Sequence, residues 1–201
     1  MCGIAGFIDL KKQTSQIILE KMTNTLEHRG PDGFGYKIIN NDIAQIGFGH
    51  RRLSIIDLSE TGKQPMTLNE FTLTFNGEIY NYLEIKSELE ALNHKFIGNS
   101  DTEMILHAYQ EWGKECIHRF IGMFAFVIYD VKNQNVFCAR DRAGVKPFFY
   151  YFDQGLFLFS SELKAFHKHP GFKKELNKSA VSVLSFFDLT NTSLKAVPVT
   201  S

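Results

Sequence analysis

The stretch Gly122-Met123-Phe124-Ala125-Phe126-Val127-Ile128-Tyr129-Asp130-Val131-Lys132-Asn133-Gln134-Asn135-Val136-Phe137-Cys138-Ala139 decides the fold class. Two runs rich in aromatic and β-branched residues flank the polar turn residues Asp130–Gln134, the pattern of two strands folded back on each other. The same grammar returns at once. Strand-like runs at Phe148–Phe152 and Leu156–Ser160 are divided by Asp153–Gly155. Hairpins of this kind make antiparallel sheets, whereas parallel strands need a helical crossover between them.

Working outward, Cys2–Ile8 reads as a first strand, Ile43–Phe48 and Arg52–Ile56 as two more, and Phe71–Phe75 as an alternating strand ending in Asn76-Gly77. Helices punctuate these runs. Ile18, Met22 and Leu26 repeat at helical spacing until Gly30-Pro31; Ile85, Leu89 and Leu92 mark a second helix. Ser100 with Glu103 forms a capping-box pattern for a third, running to Trp112-Gly113, and a short helix follows over Lys114–Ile121. Antiparallel sheets covered by helices define an α+β layered architecture. No G-x-G-x-x-G opens a helix, so a doubly wound nucleotide fold is excluded.

Composition narrows the function classes. With 201 residues the chain suits one packed domain, and nineteen phenylalanines supply a thick core. Lys+Arg and Asp+Glu both number 22, so the basic surplus of a nucleic-acid binder is missing. No apolar run reaches membrane-span length, and no secretory leader pattern precedes the first strand. The three cysteines, Cys2, Cys116 and Cys138, are odd in number and scattered, which points to reduced thiols and a cytoplasmic protein. The seven histidines show no metal spacing; His167 and His169 read as a surface turn. Asp141 beside Arg140 and Arg142 reads as a structural ion pair.

Six residues carry chemical promise, each with a plainer reading beside it. Removal of Met1 ahead of a small residue exposes Cys2 with a free α-amine, whose ordinary pKa of ~7.7–8.0 lets it take the thiol proton without any histidine. The plainer reading is an incidental small residue near a terminus. Asn76-Gly77 is either a tight hairpin turn or a pair of donors for an oxyanion. Arg52, next to Arg51, is either a solvated charge or a bidentate grip on a carboxylate. Asp101 either complements the positive end of a helix or pairs with an ammonium group, and Glu78 is an assistant to it or a strand-edge charge.

Taken together and in order, Met1–Gly6, His28–Gly33, His50–Asp57, Gln64–Met66, Asn76–Asn81, Ser100–Glu103, Gly122–Phe126, Ala139–Arg142, Gly144–Pro147 and Ser160–Ala165 resemble the glutaminase domain of glutamine-hydrolysing asparagine synthetases, within the class II (N-terminal nucleophile) glutamine amidotransferases. The resemblance implies a four-layer α/β/β/α sandwich of two antiparallel sheets. It implies glutamine hydrolysis to glutamate and ammonia through a γ-glutamyl thioester on Cys2. It assigns Asn76 and Gly77 to the oxyanion, and Arg52, Leu53, Ser54, Ile55, Ile56, Asn76, Gly77, Glu78 and Asp101 to L-glutamine, with Arg52 on its carboxylate. Arg51 receives no role. No cofactor or metal is implied for this domain. ATP and Mg belong to the synthetase domain, whose Ser-Gly-Gly-x-Asp-Ser loop does not occur here.

The resemblance covers residues 1 to about 168, and from about Leu184 the sequence departs from the family's continuation into a synthetase half. A domain over residues 2–185 is therefore expected, followed by a divergent, loosely ordered tail over 186–201, in a chain truncated before the synthetase domain. Expected partners are a separate synthetase subunit or a homodimer mate, with neither nucleic acid nor membrane. The competing readings are a glutaminase feeding another acceptor and a catalytically idle remnant that acts only as a binding module.

Overall fold

The computed structural model describes residues 1–53 and 62–174. The expected boundary at 185 and the tail over 186–201 lie outside the described residues. Among the described residues, nine strands form two antiparallel sheets. One has the order β2-β3-β1-β9-β8, from Gly33–Asn40, Gln45–Arg52, Gly3–Asp9, Leu156–Ser160 and Phe149–Asp153. The other has the order β4-β5-β6-β7, from Met66–Leu68, Phe71–Ile79, Gly122–Asp130 and Asn135–Arg140. For brevity these are the five-stranded and four-stranded sheets. Helix α1 spans Gln16–Asn24, α2 Tyr82–Ala91 and α3 Asp101–Trp112; shorter 3-10 turns cover Glu27–Arg29, Gly113–His118 and Leu163–Lys168.

Alternation along β6 shows how the layers stack. Phe124, Phe126 and Ile128 point to one face and join Ile85, Leu89, Met104, Ile105 and Tyr109 of α2 and α3 in one apolar cluster. Val127 and Tyr129 point the other way and meet Ile46, Phe48 and Phe159 of the five-stranded sheet. On that sheet's far side Ala5, Phe7 and Leu158 pack with Leu19, Met22 and Leu26 and with the Leu163–Lys168 turn through Ala165 and Phe166. Three apolar seams between four layers make the α/β/β/α sandwich that the sequence implied. Each fully buried Phe or Leu in these seams contributes ~1.5–3 kcal/mol through removal from water. Close approach of α1 depends on Gly49 in β3, where a Cβ would collide with the Thr23 hydroxyl.

Several boundaries differ from the sequence reading. The run Ile43–Phe48 belongs to a strand that continues to Arg52, held on both sides by β1 and β2. Of the expected strand Arg52–Ile56, positions 54–56 lie outside the described residues. Strands β2 and β4 had no expectation, because glycines at 33 and 35 dilute one and three residues are too few for a pattern in the other. Asn76-Gly77 is no turn: β5 runs on to Ile79, with Asn76 opposite Ala125 and Gly77 opposite Phe124. The capping box is half formed, since Ser100 Oγ accepts the Glu103 N–H at 3.2 Å while the Glu103 carboxylate turns to the amides of Ile97 and Gly98. Asp141 accepts backbone N–H bonds from Phe124, Val145 and Lys146 rather than forming the expected ion pair. His169 is buried against Thr14, not part of a surface turn.

Candidate active site

The antiparallel register of β1 and β3 pairs Gly3 with Arg51. One step further along the same ladder, Cys2 stands beside Arg52 and Leu53 at the sheet's end. The Leu53 N–H donates to Cys2 Sγ at 3.4 Å, and the Cys2 carbonyl accepts from Arg29 Nε at 3.1 Å. The sulfur thus meets a donor, and its backbone is fixed from the other side. Met1 is 57% exposed, open to removal. Burial pushes the thiols of Cys116 and Cys138 up to about 12, which leaves them inert at neutral pH.

Pleating decides which arginine faces the cleft. Successive residues of a strand point to opposite faces, so Arg51 and Arg52 part company. Arg51 Nη2 donates to Asn24 Oδ1 at 2.6 Å and its guanidinium lies 5.3 Å from the Phe34 ring centroid, a packing role. Arg52 lines the cleft.

The opposite wall comes from the four-stranded sheet. Leu73 and Phe75 of β5 face α2 and α3, so Thr74 and Asn76 face the five-stranded sheet. Thr74 Oγ1 reaches the Gly49 carbonyl at 3.5 Å across the gap. Asn76 is 2% exposed, and its Nδ2 has no hydrogen-bond partner. A buried amide donor without an acceptor costs ~1–3 kcal/mol, a penalty relieved once an acceptor arrives. Gly77 is fixed by crowding, because a Cβ there would come within 2.7 Å of Phe124 Cα.

Asp101 begins α3, and its Oδ2 accepts the Ile79 N–H at 3.2 Å, tying the helix start to the end of β5. Burial, with a smaller push from the Glu78 charge, raises its carboxyl to about 6. Glu78 itself is solvent-exposed at the rim.

Cys2, Arg52, Leu53, Asn76, Gly77, Glu78 and Asp101 therefore line one cleft of about 360 Å³. Ser54, Ile55 and Ile56 lie outside the described residues. The structure adds groups that had carried no sequence-level role: His50, Gln64, Thr102 and Lys146. Gln64 Oε1 accepts the Phe75 N–H at 2.6 Å, and its Nε2 donates to Thr102 Oγ1 at 3.3 Å, so one side chain bridges β5 and α3. Burial drives the His50 imidazole down to about 3, partly offset by its bond to the Phe75 backbone, so it is neutral at physiological pH. Each of these lay inside a motif that the sequence displayed, but only the fold turns them toward one space.

The stacking of layers defines the class: an α/β/β/α sandwich of two antiparallel sheets. Residues 1–198 match the glutamine amidotransferase domain family, and the chain belongs to it. An asparagine synthetase (glutamine-hydrolysing) of Bacillus subtilis is 42% identical over 90% of this chain and 30% of its own length. A putative asparagine synthetase of Methanocaldococcus jannaschii is 43% identical over 91% of this chain and 38% of its own. The chain thus spans only 30% and 38% of these two relatives. Among solved structures, the glutamine PRPP amidotransferase of B. subtilis superposes with a TM-score of 0.68 over 83% of this chain and 43% of that one, at 21% identity. That likeness concerns the fold.

Proposed function

We propose that this chain hydrolyses L-glutamine to glutamate and ammonia through a γ-glutamyl thioester on Cys2, as the glutaminase part of asparagine synthesis. One observation carries the reading. A sulfur next to the chain terminus, an unsatisfied amide donor, an arginine and a buried carboxylate line a single cleft sized for an amino acid.

The chemistry follows from the groups. With Met1 removed, the Cys2 α-amine takes the thiol proton and the sulfur attacks the glutamine amide carbon. The carbonyl π pair moves to oxygen, where Asn76 Nδ2 and the Gly77 N–H receive it; such donors each contribute ~3 kcal/mol to acyl transfer. Collapse breaks the C–N bond, and ammonia leaves with the proton held by the amine. Water then cleaves the thioester with the amine again as base, and glutamate departs. Arg52 holds the substrate carboxylate, and Asp101 with Glu78 the substrate ammonium, so only an α-amino acid satisfies both ends. None of these steps uses a metal or a cofactor. ATP and Mg serve the amide-forming step, carried by a synthetase domain or subunit that receives the ammonia, in the cytoplasm. No described helix is long and apolar enough to cross a membrane.

Two measurements test the reading together. Intact mass of the purified protein is expected to lack Met1, and glutamine is expected to yield glutamate at a rate that Cys2→Ala abolishes. Equal rates in the two proteins sink it.

A further inference from the structure

Lys146 has no part in the steps above. It lies on the segment 141–148, by which the chain leaves β7 in the four-stranded sheet and enters β8 in the other. The side chain is buried, with the residue only 5% exposed, and it lines the cleft with Cys2 and Asn76. Its backbone is clamped twice: the N–H donates to Asp141 Oδ2 at 3.0 Å, and the carbonyl accepts from Arg140 Nε at 2.6 Å. Asp141 Oδ2 also accepts the Phe124 N–H at 3.2 Å, and Phe124 is the register partner of Gly77. The lysine is therefore fastened one strand away from Asn76-Gly77.

Among the described residues its ammonium has no hydrogen-bond or ion-pair partner. A cation at the wall of the cleft with no counter-charge of its own is placed to meet an anion that arrives with the reaction. The other charged or titratable groups facing the cleft are Arg52 and His50 from β3, Glu78 from β5 and Asp101 from α3. Asp101 is pushed up by burial and Glu78, and pulled back by backbone amides, with no cation contributing. Arg52 belongs to the opposite sheet, at the end that would grip a carboxylate.

We propose that Lys146 supplies fixed positive charge to the anion of acyl transfer, standing beside Asn76 and Gly77 on the oxyanion side of the cleft. The assignment rests on the glutaminase reading. Sulfur bonds to the amide carbon, the π pair moves to oxygen, and Lys146 keeps its proton throughout, contributing field alone. A preorganised charge of this kind lowers the barrier without tightening ground-state binding.

The test uses the full chain with Lys146→Met, Lys146→Gln and Lys146→Arg, and Lys132→Met in the exposed β6–β7 turn as a charge-removal control. Glutamate release gives kcat and KM; iodoacetamide labelling of Cys2 against pH reads the sulfur directly, and thermal melts confirm folding. Lys146→Met and Lys146→Gln are expected to lower kcat ~100-fold with KM changed less than about twofold. Lys146→Arg recovers most of the kcat, Lys132→Met changes neither constant, and Cys2 is labelled in every variant. Unchanged kcat, or a loss carried by KM, in an active protein overturns the assignment alone. A wild-type chain whose Cys2 is labelled but which releases no glutamate overturns the glutaminase reading, and the assignment with it.

Discussion

Asp101 accepts the backbone N–H of Ile79 at 3.2 Å, so the first residue of α3 is fastened to the last residue of β5. The carboxylate is thereby fixed in place, yet it is also starved of water, and its ordinary value of 3.8 rises to about 6. Binding an ammonium group requires the ionised form. As pH falls through about 6, KM for glutamine is expected to rise while kcat changes less. Initial rates across a pH series check this.

The same shift has a stability sign. Asp101 binds its proton more tightly folded than unfolded, so folding loses stability as pH rises from 3.8 through about 6. Above that window the full cost applies, on the order of 3 kcal/mol. Asp101→Asn, which keeps an acceptor for Ile79, should therefore be more stable than the parent at neutral pH but bind glutamine poorly. Urea melts at two pH values together with KM decide the matter.

Asn76→Ala removes the unsatisfied buried donor. Its effect should fall on the transition state: kcat lower by about 10²–10³-fold with KM little changed. The ladder to Ala125 is backbone-made and survives the substitution. A loss confined to KM would move Asn76 from the oxyanion to ground-state binding.

Gln64→Ala removes the bridge between Phe75 and Thr102. Loss of a bond to a partly buried amide costs ~1–3 kcal/mol. Because the bridge joins the strand bearing Asn76 to the helix bearing Asp101, kcat/KM should fall with it. Gln64→Glu, which keeps the acceptor for the Phe75 N–H, should recover part of the loss. Steady-state kinetics on both variants show it.

Phe126 is fully buried and meets Phe137 edge-on, with ring centroids 5.9 Å apart. Phe126→Ala should cost about 3–5 kcal/mol of stability, read as a lower urea midpoint. It is not itself one of the cleft-lining residues, so the folded fraction should keep its KM.

The α+β class was legible because hairpins announce themselves locally: the turn Asp130–Gln134 between two aromatic runs left little choice. The layering was not legible from pattern alone, since nothing local says that β8 and β9 leave the sheet of β6 and β7; it came with the family resemblance. Asn76-Gly77 shows the limit of short-range rules. The dipeptide is the strongest turn signal in the chain, yet continuous pairing with Ala125 and Phe124 keeps it extended. Of the site, Cys2, Arg52 and Asp101 were found through motifs. Gln64, His50 and Lys146 sat within quoted motifs as well, but their part depends on which way a pleat or a clamped segment turns the side chain. Ser54, Ile55 and Ile56 lie outside the described residues.

The two walls of the cleft belong to different sheets, and the seam between those sheets is built from Ile46, Phe48, Val127, Tyr129 and Phe159. Interior aromatic bulk therefore acts as a spacer gauge, setting how far Cys2 stands from Asn76 and Gly77. Turnover can be tuned from deep inside, by trading one ring for a smaller side chain, while every group that meets the substrate stays unaltered.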